Sequence, residues 1–200
     1  MSLALLDESP IAPPSDLGPH RRKDYEVLPD EPRCELIFGR FYVSPSPAGP
    51  HQTVALQIAR LLDDIAVAAG GLAQIAPMDV ALAEHSVVQP DVLFLSKERR
   101  SRMAERVEGA PDLVVEVLSP GTARRDRGEK LRLYAESGVR EYWIVDPAEK
   151  QIEFLVNDDG RFVVALPADR EYRSSVLPEL RLDLETFWQE VAKRLPQQAN

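Results

Sequence analysis

Apolar and polar positions along the chain fall into two rhythms, and those rhythms predict its elements. Over residues 33–43 (RCELIFGRFYV) two short apolar stretches flank Gly39, which predicts two strands around a tight turn. Ser44-Pro45-Ser46-Pro47 closes that unit. Residues 51–69 place Val54, Ala55, Ile58, Leu61, Leu62 and Ile65 on one face of an amphipathic helix, and Gly70-Gly71 stops it. Strand-like runs follow at 72–83, at 87–95 (VVQPDVLFL) and at 113–118 (LVVEVL). The last two are almost continuously apolar, as central strands covered on both faces are.

The charged stretch 97–108 reads as a solvated loop or short helix. Residues 122–137 predict a second helix with Leu131, Tyr134 and Ala135 inward and Gly138 as its stop. A buried strand at 141–145 (EYWIV) precedes a hairpin of 151–156 and 162–166 around Asn157-Asp158-Asp159-Gly160. A closing helix over 182–195 turns Phe187, Trp188, Val191 and Leu195 inward. Residues 1–23 carry Pro10, Pro13, Pro14 and Pro19 ahead of His20-Arg21-Arg22-Lys23, and predict a loosely docked arm. Residues 24–200 predict one α/β (mixed α+β) domain, a central mixed sheet flanked by helices.

The informative positions are acids that break apolar runs. Asp91 interrupts QPDVLFL, Glu116 interrupts LVVEVL, and Glu35 stands beside Leu36 and Ile37. Burying an unpaired carboxylate costs several kcal/mol, roughly, so such acids are paired or given to a metal. Three of them predict a shared hard-cation site, with Mg²⁺ or Mn²⁺ favoured over zinc because no Cys/His cluster is present. Lys130 borders the apolar face of the second helix and could deliver its ammonium to the strand ends. The plainer alternative is an i, i+4 ion pair with Asp126 on a wet helix face. His51 reads as a helix-start residue with local hydrogen bonds, and Tyr142 and Trp143 as core.

Composition narrows this picture. A formal net charge of -9 argues against a chain that coats nucleic acid non-specifically, while leaving room for a small basic groove. Cys34 is the single cysteine, so no intrachain disulfide can form and a reducing interior is expected. No apolar stretch is long enough to span a bilayer, and residues 1–6 are too short for a signal sequence. The expected location is the cytoplasm.

The run PDLVVEVLSPGTARRDRGEKLRLYAESGVREYWIVDP (111–147), with ELIFGRFYVSPSP from Glu35, His51-Gln52 and Gln89-Pro90-Asp91-Val92, resembles a widespread bacterial restriction-endonuclease family of the PD-(D/E)XK nuclease superfamily. The resemblance covers about residues 25–156. It implies the restriction-endonuclease-like fold and metal-dependent hydrolysis of phosphodiesters in nucleic acid, DNA being the expected substrate. It makes Asp91 and Glu116 the motif acids and Glu35 an extra acid, all three metal ligands. The superfamily's E-x-K pattern would place lysine at 118, where this chain has Leu118; the lysine's place passes to Lys130. In the implied reaction Lys130 orients or helps deprotonate the attacking water. Arg124, Arg125, Arg127 and Gln52 are the expected nucleic-acid contacts, and a homodimer would supply two sites for two strands. The competing readings are a non-catalytic module of the same fold, for nucleic-acid binding or dimerisation, and a carboxylate-pair enzyme acting on sugars.

Overall fold

The computed structural model describes residues 17–29, 31–44 and 48–195. Within them the chain forms α1 (Arg22–Tyr25), β1 (Cys34–Ile37), β2 (Arg40–Val43), α2 (Gly49–Ala68), β3 (Leu72–Ile75), β4 (Val80–Ala83), β5 (Ser86–Val88) and β6 (Val92–Leu95). A 3₁₀ turn (Arg100–Arg102) leads to β7 (Val107–Glu108) and β8 (Leu113–Val117). Then come α3 (Ala123–Arg125), a π-helical turn (Asp126–Lys130) and α4 (Leu131–Glu136). The chain finishes with β9 (Glu141–Asp146), β10 (Gln151–Asp158), β11 (Arg161–Ala165), β12 (Glu171–Arg173), β13 (Arg181–Asp183) and α5 (Leu184–Arg194).

Six strands make the central mixed sheet, in the order β11-β10-β9-β8-β6-β3, with only β8 and β9 parallel. Five make a second sheet, β2-β1-β5-β4-β7, and β12-β13 form a separate hairpin. One face of the central sheet packs Val115, Val117, Trp143 and Phe154 against Val54, Ile58 and Leu62 of α2 and Phe187 and Val191 of α5. The other face packs Leu93, Val114, Tyr142 and Ile144 against Ile37, Val80 and Val88 of the second sheet and Leu133 and Tyr134 of α4. Each such buried side chain contributes about 1.5–3 kcal/mol, so the two cores are large enough to carry several buried charges.

The expected central sheet with flanking helices is present, but a second sheet covers much of one face. That sheet comes from two apolar runs that each divide. Residues 87–95 do not form one strand: Pro90 has no amide hydrogen for a ladder, and the chain passes there from β5 in one sheet to β6 in the other. Residues 72–83 divide in the same way, with Pro77 between β3 and β4. The hairpin around Gly39 forms as expected, Gly39 taking φ 75°. The predicted 122–137 helix forms with a wider π turn in its middle.

One hairpin was not anticipated, and one expectation needs correction. The hairpin β12-β13 was not anticipated, since three-residue strands carry too little alternation to read. The arm predicted to end at residue 23 is bound earlier: the Gly18 and His20 amides donate to the Phe38 and Gly39 carbonyls, and Arg22 pairs with Glu108 at 2.6 Å. Pro10, Pro13, Pro14 and Pro45 to Pro47 lie outside the described residues. No helix among the described residues is long and apolar enough to cross a membrane.

Candidate active site

The site forms where the two sheets diverge. Crossing at Pro90 leaves Asp91 at the start of β6, and the ladder that pairs Val92 with Val115 brings it level with Glu116 of β8. Asp91 Oδ2 accepts the Val117 amide at 2.7 Å and lies 3.2 Å from His51 Nε2, in the first turn of α2. Glu116 is buried at 4% exposure on the face opposite α2. From the second sheet, β1 brings Glu35, equally buried, whose Oε1 accepts the Gln89 amide at 2.9 Å.

Lys130 joins these acids. Its Nζ donates to Glu116 Oε1 at 2.8 Å, lies 2.9 Å from Glu35 Oε1 and stands 3.8 Å from Asp126 Oδ1. Tyr134, one turn further along the helix, donates its hydroxyl to the same Glu116 Oε1 at 2.6 Å. Asp126 is 1% exposed, and its Oδ1 has no hydrogen-bond partner among the described residues. The π turn sets this pattern: its i→i+5 winding keeps Asp126 and Lys130 inward while turning Arg127, Gly128 and Glu129 to solvent. The Tyr142 hydroxyl fixes the turn by donating to the Asp126 carbonyl at 3.0 Å.

The electrostatics follow from burial and crowding. Desolvation alone would pull the Lys130 ammonium down, but Glu116, Glu35 and Asp126 outweigh it and hold the ammonium well above its ordinary value. These acidic neighbours therefore hold Lys130 as a cation. Burial raises Glu116 far above the usual carboxylate range; Lys130 opposes this, and Asp126, Asp91 and Glu35 add to it. Burial likewise raises Asp126. His51 is lowered by burial but raised overall by its contact with Asp91.

The remaining expected residues separate. Arg125 turns inward, 3.7 Å from Glu35 Oε2 and over the Tyr42 ring at 4.5 Å. Arg127 points away and bonds Glu153 at 2.6 Å, so it does not share the Lys130 face. Arg124 and Gln52 are exposed. His51 and Asp126 belong to the site although the sequence reading gave them local roles. Their signals were the His-Gln pair opening a helix and the four-residue spacing of Asp126 to Lys130.

Four carboxylates (Glu35, Asp91, Glu116, Asp126) face two fixed cations (Arg125, Lys130) and one histidine. Among the described residues no three Asp, Glu, His or Cys side chains already stand as a metal-ligand set, because the Lys130 ammonium lies between Glu116 and Glu35. The donor chemistry nonetheless fits a hard divalent cation. Mg²⁺ needs only one or two carboxylates beside waters and phosphate oxygens. Asp91 and Glu116 are level on adjacent strands, and the surplus acids and the orphaned Asp126 oxygen leave negative charge to neutralise. A sugar-cleaving pair needs two acids across an open gap, whereas here Glu35 and Glu116 share one ammonium.

Known proteins resemble this chain in sequence and in fold. A family model, Uma2, described as "Putative restriction endonuclease", matches residues 22–185. The chain is 29% identical over 169 residues to the uncharacterized protein slr1290 of Synechocystis sp., covering 80% of this chain and 85% of that one. The fold superposes on the crystal structure of a "putative nuclease belonging to DUF820" from Anabaena variabilis with a TM-score of 0.75, 20% identity, and coverage of 86% of this chain and 99% of that one. With the family model matched from the first described helix to the start of the last, the chain belongs to the Uma2 family.

Proposed function

We propose that the chain is an endonuclease that hydrolyses phosphodiester bonds in DNA with a divalent cation, Mg²⁺ or Mn²⁺. The observation that carries this reading is the convergence of Glu116 and Glu35, from strands in two sheets, on the ammonium of one buried lysine, with Asp91 level with Glu116 beside the adjacent strand. Asp91 and Glu116 would hold the cation. Glu35, whose oxygens face Lys130, Arg125 and the Gln89 amide, would serve it at longer range by holding Lys130.

When bound, the cation would polarise the phosphate and lower the pKa of the attacking water. The protein's own contributions follow from position. Lys130, held as a cation by its acidic neighbours, stabilises negative charge developing on the phosphate oxygens. His51 and the Val117 amide fix the Asp91 carboxylate, and Tyr134 fixes Glu116. Arg125, packed on Tyr42, adds positive potential at the site, and exposed Arg124 would contact a backbone phosphate. Cutting both strands of a duplex requires two such sites, which a symmetric homodimer would supply.

The test is cleavage of single-stranded, duplex and branched DNA by purified protein with Mg²⁺ or Mn²⁺. The expected result is cation-dependent cutting that Asp91→Asn abolishes. Equal cutting by Asp91→Asn would mean that another active species is at work, and the reading would fail.

A further inference from the structure

Three features of the Lys130 surroundings are not used by the reaction above. Asp126 Oδ1 is buried and has no hydrogen-bond partner among the described residues. It lies 3.8 Å from Lys130 Nζ, against 2.8 Å for Glu116 Oε1, a difference of 1.0 Å. The π turn holding both residues is an arrangement found often at functional sites. A buried acceptor left without a donor is costly. A neighbouring donor that could reach it by a small side-chain movement gives the orphan a use.

The ammonium and a divalent cation also compete. Glu116 Oε1 already receives Lys130 and Tyr134, and a cation engaging Glu116 would sit close to a fixed positive charge. Lys130 must then retreat. Glu35 keeps one side of the ammonium, and the open acceptor on the other side is Asp126.

We propose that Asp126 is the alternate partner of Lys130. The ammonium passes from Glu116 to Asp126 when a divalent cation engages Glu116, so Asp126 is a positioning residue that lets the lysine and the cation occupy the site together. This inference rests on the cation-dependent reading, and the experiment separates the two.

Mn²⁺ binding is measured by calorimetry on the full chain, alone and with Asp126→Asn, Lys130→Gln and the double variant, each checked for folding by circular dichroism. Asp126→Asn keeps the side-chain volume and removes a buried charge, so its melting temperature should equal or exceed that of the unmodified chain. Its Mn²⁺ affinity should fall about tenfold, the loss of one charge-assisted partner for the displaced ammonium. With Lys130→Gln already present there is no ammonium to relocate, and Asp126→Asn should change affinity less than twofold. Unchanged affinity in Asp126→Asn alone overturns the hand-over, whether or not the lysine variant folds. An equal loss in both backgrounds also overturns it, since Asp126 would then act on the cation directly. If the unmodified chain takes up no Mn²⁺, the cation-dependent reading itself falls and this inference with it.

Discussion

Glu116 and Glu141 are buried glutamates on neighbouring strands of one sheet, and their surroundings are opposite in kind. Glu141 is 0% exposed and accepts five hydrogen bonds, from Trp143 Nε1, the Tyr172 hydroxyl, the Ser174 and Ser175 hydroxyls and the Ser175 amide, at 2.7 to 3.0 Å. All of these donors are neutral, and among the described residues no other carboxylate shares them. Glu141 ties the segment around β12 to the central sheet. Glu116 instead meets two donors at one oxygen and stands among three other acids. A saturated buried carboxylate is a structural tie. An under-satisfied one crowded by like charges is held in place for something else to bind.

The largest effect that could break this contrast lies in Glu116→Gln. It should lower cleavage roughly a hundred- to a thousand-fold, because the amide cannot serve as an anionic ligand. The fold should keep or gain stability, because the change removes a buried charge among like charges. A variant that is inactive only because it unfolds would erase the distinction.

Glu141→Ala should do the reverse. Stranding five donors should cost about 3–5 kcal/mol by denaturant unfolding, while cleavage per folded molecule stays near the unmodified rate. Loss of activity with stability retained would move Glu141 into the chemistry.

Lys130→Ala sharpens the comparison through pH. Glu116 and Asp126 bind protons more tightly in the folded chain than a free carboxyl does. Between the ordinary carboxylate range and those raised values the folded state therefore holds more protons than the unfolded one, and stability falls as pH rises. Removing the ammonium should steepen that fall, so the melting temperature of Lys130→Ala should recover as pH is lowered from 8 toward 5. A flat profile would mean that the acids are not crowded. The smallest effect belongs to Arg127→Ala. Its pair with Glu153 is exposed and should contribute only about 0.2–1 kcal/mol, with cleavage unchanged.

Much of the site was legible because acids interrupting apolar runs are visible in any sequence, as Asp91, Glu116 and Glu35 were. The same rule could not separate them from Glu141 and Asp112, which also border apolar strands. Asp112 is 0% exposed and is satisfied by the Ser96 amide and by Arg99 and Arg140. What distinguishes the two kinds of acid is partner identity, and partners arrive from afar: Ser174 and Ser175 lie more than thirty residues beyond Glu141. Asp126 entered only in the alternative of a wet-face pair with Lys130, because α-helical spacing gives no warning of a π turn. His51 was read as local because its contact with Asp91 depends on how α2 packs against the sheet. The longer strands were legible, but β7, β12 and β13 were not, nor was the division of 72–83 and 87–95 between two sheets. Periodicity marks a buried strand without naming its neighbours.

The most direct test of the central claim compares Mn²⁺ uptake by calorimetry in the unmodified chain, Glu116→Gln and Glu141→Gln. The account predicts saturable binding in the unmodified chain, the same binding in Glu141→Gln, and none in Glu116→Gln. Binding that survives Glu116→Gln undiminished, or that is lost only in Glu141→Gln, would contradict it.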